Sequence, residues 1–177
     1  MRTFIVYESE FGNTKAVAEA VAAGFAAAGA VEGPAPVVTG VEEAPPLQEL
    51  AADLLVVGAP THAFGLSRPG TREDAHQRGG AQVITGVREW LEAAETVHLP
   101  AATFDTHLHH APGSASGAAA KRLRKLGCEL VADPEKFYVE GTAGPLLEGE
   151  AERARQWGAG LARVMAERGS AAGRDSR

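Results

Sequence analysis

The sequence predicts an α/β fold: a doubly wound five-stranded parallel sheet, order 2-1-3-4-5, with helices on both faces. Three observations predict it. Short β-branched and aliphatic runs without turn residues, such as Phe4–Tyr7 and Leu54–Val57, have the composition of strands buried on both sides. Such runs alternate with stretches whose apolar residues recur at helical spacing, which is the signature of parallel strands joined by crossover helices. The 177 residues suit a single domain. Right-handed crossovers leave few strand orders open, and 2-1-3-4-5 fits this length.

The elements follow in order. After Phe4–Tyr7, Gly12-Asn13-Thr14 breaks the strand and opens a helix whose apolar stripe is Val17, Val21, Gly24, Phe25 and Ala28, with Gly29 as the stop. Pro36 to Thr39 gives one short strand, and Pro45-Pro46 starts a brief helix through Ala51. Leu54 to Val57 is a buried strand ended by Gly58-Ala59-Pro60. Residues 61–80 show little periodicity and read as a loop. Val83, Val87, Trp90, Leu91 and Ala94 mark the next amphipathic helix. A strand from Val97 to Phe104 is interrupted by Pro100, and a loop follows from Asp105 to Gly117. Ala119, Ala120, Leu123 and Leu126 face one way on a helix whose other side carries Lys121, Arg122, Arg124 and Lys125. Cys128 to Val131 is the last core strand, with Phe137 to Val139 extending the same edge. Trp157, Leu161, Val164 and Met165 define the final helix. The domain is expected over 1–169, with 170–177 as a disordered tail.

Composition excludes several classes. A net charge of −6 gives no global attraction to nucleic acid or an anionic membrane surface. The single cysteine, Cys128, excludes an intramolecular disulfide framework and a multi-thiolate zinc site. No targeting or spanning segment is visible, so a cytoplasmic location is expected. The run Gly113-Ser114-Ala115-Ser116-Gly117 has alanine where a nucleophile elbow needs serine, so its serines read as caps of the helix that follows. His107, His109 and His110 read as a solvated loop rather than as metal ligands.

In open α/β sheets, ligands bind outside the carboxyl ends of the strands where the strand order reverses. That rule selects the loops after Tyr7, Gly58 and Phe104. In the first, Ser9, Glu10, Phe11, Gly12, Asn13 and Thr14 run straight into a helix. A helix N-terminus carries unpaired N–H groups and a partial positive charge, so this loop can cradle a phosphate. The plainer alternative makes Asn13 or Thr14 an ordinary N-cap and Gly12 a turn residue. Glu8 and Glu10 would repel a dianion, so they are expected to point away or to meet a cation such as Lys15.

The run Ser9-x-Phe11-Gly12-Asn13-Thr14 behind a hydrophobic strand resembles the phosphate loop of the flavodoxin-like FMN-binding family. Phe11, where electron carriers of that family usually have a hydroxyl residue, leans the resemblance toward its NAD(P)H:quinone reductases. The resemblance implies FMN as cofactor, its phosphate held by the first loop. It assigns the second loop, Pro60, Thr61, His62, Ala63, Phe64 and Gly65, to the flavin ring, with His62 or Phe64 shielding the ring and Gly65 letting the chain bend over it. The plainer alternative is that Pro60-Thr61 is a strand exit and Phe64 a core residue. By position, His107 or Thr106 of the third loop would reach the ring's pyrimidine edge, and Asp105 beside them is counted with the cofactor-binding residues. The implied function is electron transfer or NAD(P)H-dependent reduction of a quinone-like acceptor. The partner would then be a small molecule or a redox protein, and a homo-oligomer is compatible with the sequence. The alternative function is a binding or regulatory module of this fold that has lost FMN. No catalytic acid or base is assigned.

Overall fold

A computed structural model of the chain describes residues 1–175. The elements are β1 (Thr3–Tyr7), α1 (Asn13–Ala27), β2 (Val37–Gly40), a short 3-10 turn (Leu47–Glu49), β3 (Leu54–Pro60), α2 (Pro69–Gln77), α3 (Val87–Glu92), β4 (Pro100–Leu108), α4 (Ala115–Leu126), β5 (Glu129–Leu130), β6 (Glu135–Val139) and α5 (Glu150–Asp175). The strands form one parallel sheet in the order β2-β1-β3-β4-β5, as the sequence predicts. The fifth position is split. β5 pairs with Pro100 and Ala101 at the start of β4, and β6 pairs with Phe104–Leu108 at its end.

Alternation along each strand sends successive side chains to opposite faces. Ile5, Leu54 and Val56 pack against α1 and α5, together with Phe25, Phe104 and Leu161. Val6, Leu55 and Val57 pack on the other face with Trp90, Leu91, Ala119 and Leu123 from α3 and α4. Both faces of the central strands are therefore dry, which is why those strands read as unbroken apolar runs. Among the described residues, no helix is long and apolar enough to cross a membrane.

Six boundaries differ from expectation, most of them for a long-range reason. Residues 61–80 are not all loop: α2 lies within them, burying only Arg72 and Ala75, too little apolar surface to leave a periodic signal. The helix expected from Val83 starts at Val87, because the preceding main chain has other partners. Val83 and Ile84 give their carbonyls to Arg72, while the Ile84 and Thr85 amides donate to Glu42. β4 starts at Pro100, a first-residue position where no ladder donor is needed. It then continues to Leu108 because β6 extends its ladder, which puts Asp105, Thr106 and His107 in a strand rather than a loop. β3 likewise runs on to Pro60 against β4. The segment expected as a tail from 170 is helical through Asp175 as part of α5, a stretch with no proline to stop it; residues 176–177 lie outside the described residues.

Candidate functional site

A cavity of about 400 Å³ opens at the C-terminal ends of β1, β3 and β4, within the size range of small-molecule sites. Its floor is the loop between β1 and α1. Gly12 takes a left-handed φ of 85°, which turns the chain so that α1 begins at Asn13. No side chain caps this helix. Among the described residues, the main-chain N–H groups of Phe11, Gly12, Asn13 and Thr14 have no protein acceptor. The next amide, of Lys15, donates to Ser9 Oγ at 3.3 Å, leaving that hydroxyl's own proton available. The N-cap reading of Asn13 and Thr14 is thus not what the geometry gives: neither side chain caps, and the amides stand open.

Thr14 and Thr106 join the first and third loops through hydroxyls 2.8 Å apart. One donates to the other, so the pair retains one hydroxyl proton for a ligand. Asn13 is overlaid by the loop after β6. Gly144 has φ 91°, and a Cβ there would come within 2.4 Å of Asn13 Oδ1.

The second loop forms one wall. His62 and Gly65 exchange two backbone hydrogen bonds, at 2.8 and 3.0 Å, closing a two-residue turn. Its apex residues, Ala63 (φ 38°) and Phe64 (φ 79°), both occupy the left-handed region. The bend expected at Gly65 is therefore made by the two residues before it, and a Cβ at Gly65 would meet nothing closer than 3.9 Å. Positive φ at a bulky residue costs on the order of 1–3 kcal/mol and persists only where surrounding structure enforces it. Here Ser114 donates to the Phe64 carbonyl, and Gly113 lies so close that a Cβ would sit 2.1 Å from that oxygen. Phe64 is 70% exposed, so it is a rim residue and not a core residue. Thr61 Oγ1 accepts from Ala115 N, fixing the loop to the start of α4.

Of the sequence-predicted residues, Ser9, Glu10, Phe11, Asn13, Thr14, Pro60, Thr61, His62, Ala63, Phe64 and Thr106 line the cavity. Gly12 shapes the floor without lining it, and Gly65 stands behind the turn. Asp105 and His107 are corrections. Asp105 is fully buried, and its Oδ2 accepts from Ser114 Oγ, Ser116 Oγ and Ser116 N, so its carboxylate anchors α4. Its neighbour His107 is buried against Tyr138, with Nε2 2.8 Å from the Ala111 carbonyl. Both residues lie one step from Thr106 on the strand, so alternation turns them to the face opposite its side chain. Sequence reasoning missed the α2 side of the cavity, Thr71, Asp74, Ala75 and Arg78, and the lining from Leu108, Pro112, Val139 and Thr142. Pro69 at the first helical position, followed by Thr71, was the available signal for α2.

Glu8 and Glu10 do not meet Lys15, which lies 4.0 Å from Glu19 on its own helix. Glu8 turns inward, 1% exposed, and its Oε2 accepts from Val87 N at 2.8 Å. Burial, reinforced by the Glu10 charge, pushes its pKa up to about 7. Glu10, 5% exposed, pairs with His62 at 3.6 Å. Burial raises the Glu10 carboxyl, but the hydrogen bond and charge of His62 outweigh it and hold the group below its ordinary value. Burial lowers His62, yet Glu10 and then Glu8 more than offset this, and its pKa is raised.

Comparison with known proteins gives a clear fold. No sequence-family model matches the chain, and no curated protein does. Solved structures do. A flavodoxin from the domain Archaea superposes with a TM-score of 0.66 at 19% identity, covering 93% of this chain and 99% of that one. Flavodoxin 2 from Bacillus cereus gives 0.65 at 22% identity, covering 95% and 99%. The Flv1 flavodiiron core from Synechocystis sp. PCC6803 gives 0.61 at 17% identity, with 94% of this chain covering 36% of that one. The chain has the flavodoxin-like fold.

Proposed function

We propose that this flavodoxin-like chain binds FMN across the C-terminal ends of β1, β3 and β4 and works as a redox protein. The observation that carries this reading is the set of open amides from Phe11 to Thr14 at the start of α1, beside the free hydroxyl protons of Ser9 and of the Thr14–Thr106 pair. Such a cradle suits a phosphate dianion without an arginine. The ring would lie between the turn at Ala63–Phe64 and the β4 end at Thr106, with Phe64 over its exposed side and Arg78 and Asp74 of α2 facing it. The redox chemistry itself is that of the bound isoalloxazine. The chain's residues hold the phosphate, exclude water with Phe64, Leu108 and Pro112, and set the charge around the ring.

The acceptor is a quinone-like small molecule or a redox protein, with electrons drawn from NAD(P)H in the first case. Direct bleaching of bound flavin by NAD(P)H distinguishes the reductase from the carrier. A second reading, a module of this fold without FMN, is favoured by the buried Glu8 and Glu10 beneath the phosphate loop.

The test uses protein supplied with FMN. Flavin absorbance that co-purifies with the protein supports the reading; a colourless protein that titrates with neither FMN nor riboflavin rejects it. Asn13→Asp locates the phosphate. An acidic residue in the first turn suits a helix N-terminus, so the apoprotein should keep its stability. FMN affinity should fall roughly tenfold or more through charge repulsion, and riboflavin affinity should change little. Equal loss of both ligands places the phosphate elsewhere.

A further inference from the structure

Beneath the cavity floor lies a cluster that phosphate binding alone does not use. Glu8 and Glu10 stand two apart in the turn just past β1, and both side chains are turned inward. Both are at least nine-tenths buried, and each has one oxygen, Oε1, with no hydrogen-bond partner. Two anions this buried, each in the field of the other, are disfavoured, so one of the two carboxyls keeps its proton. Glu10 also lines the cavity and lies 3.6 Å from His62, which lines it too.

The rest of the surroundings are fixed. From α2, Arg72 is fully engaged: Nη1 donates to Ser67 Oγ, Nε and Nη2 donate to the Val83 and Ile84 carbonyls, and Glu89 of α3 lies 3.1 Å away. From the start of α3, Val87 N donates to Glu8. Across the cavity, α2 presents Asp74 and Arg78. Arg72 and Glu89 neutralise one another, as Asp74 and Arg78 do in sign, so the charge under the floor is set by Glu8, Glu10 and His62.

We propose that Glu8, Glu10 and His62 form a buried proton-holding site that cancels the charge of its own two carboxylates, admits a phosphate-bearing ligand to the floor above it, and weakens that binding when its proton leaves. With Glu8 protonated and Glu10 paired to a cationic His62, the three groups sum to no net charge. This removes the repulsion that two glutamates beside a phosphate loop imply from sequence. Loss of the Glu8 proton leaves one negative charge under the dianion, and loss of the His62 proton a second. The direction is set by Glu8, whose pKa lies at about 7: affinity falls as pH rises through neutrality. The second ionisation of a phosphate lies near pH 6, so above neutrality the ligand's own charge no longer changes.

The ligand-linked part rests on the FMN reading, and the experiment separates the two. FMN and riboflavin dissociation constants are measured from about pH 6.5 to about 8.5 on the wild type and on Glu8→Gln, which keeps the oxygen that accepts from Val87 N. FMN affinity of the wild type should fall about tenfold over that range, one pKa unit of coupling, while riboflavin stays level and Glu8→Gln abolishes the fall. A level FMN profile in the wild type, or an equal fall for riboflavin, overturns the proposal. Separately, the His62 imidazole is titrated by NMR in ligand-free protein. It should hold its proton above the ordinary histidine range and return toward that range in Glu10→Gln. An ordinary His62 in the wild type overturns the site whether or not FMN binds. A raised His62 in a protein that takes up FMN at no pH sustains the buried site and rejects the redox reading.

Discussion

Asp105 stands at the end of β4, where a ring edge would meet it, yet its Oδ2 is taken by three donors at the start of α4. Ser114 also accepts from Gly117 N at 2.9 Å and so caps α4, as its position in the sequence suggests. Asp105→Ala strips that anchor and leaves buried serine groups unpaired, a loss of about 3 kcal/mol by the cost of such groups. The expected result in urea denaturation is a large fall in stability, with FMN affinity of the folded fraction within a few-fold of wild type. Lost FMN affinity with stability intact would return Asp105 to the ligand. Gly86 fits the same logic, since a Cβ there would come within 2.5 Å of Glu8 Oε2 and 2.6 Å of Arg72 Nη1.

At the scale of elements, α1 and α5 touch through glycine. A Cβ on Gly24 would lie 1.9 Å from the Arg155 carbonyl oxygen, and one on Gly158 would lie 2.1 Å from that of Val21. Alanine exceeds glycine in helix propensity by about 1 kcal/mol, but here the two backbones leave no room for it. Gly158→Ala should therefore destabilise, by roughly 1–3 kcal/mol as overpacking does. Gly160, in the same helix with nothing within 4 Å, should stabilise by up to about 1 kcal/mol when changed to alanine. Thermal unfolding of the pair checks this, and a Gly158→Ala variant at least as stable as the wild type would refute the close approach. Elements with a wide apolar stripe, α1 and α4 among them, were legible from spacing. α2 was not, because its buried residues are Arg72 and Ala75, and a buried arginine carries no hydrophobic period.

For the molecule as a whole, pH dependence follows from the buried cluster. Glu8 has a raised folded-state pKa, so its contribution is complete below the unfolded value of 4.5 and is lost as pH rises through about 7. His62 is also raised above its unfolded 6.5, so its contribution falls in the same direction. Glu10 is lowered, and its contribution is lost only on acidification. Unfolding free energy should thus drop by about 1 kcal/mol or more between about pH 6 and about pH 8.5. Glu8→Gln should flatten the curve in chemical denaturation; an unchanged slope would remove Glu8 as its source.

Runs such as Leu54–Val57, the break at Gly12 and the helical stripe of α1 determined the parallel sheet and the three loops at its carboxyl edge, because each depends on residues near in sequence; the strand order followed from the right-handed crossovers that such elements require. The tertiary structure alone decided what lies between those loops. It extended β4 through His107 by pairing it with β6, turned Asp105 away from the cavity, brought α2 to its far wall and set His62 against Glu10. Each of these depends on a partner distant along the chain. The charge of Glu8 and Glu10 depends on it most, since a carboxylate's ionisation is fixed by burial and neighbours that no local pattern encodes.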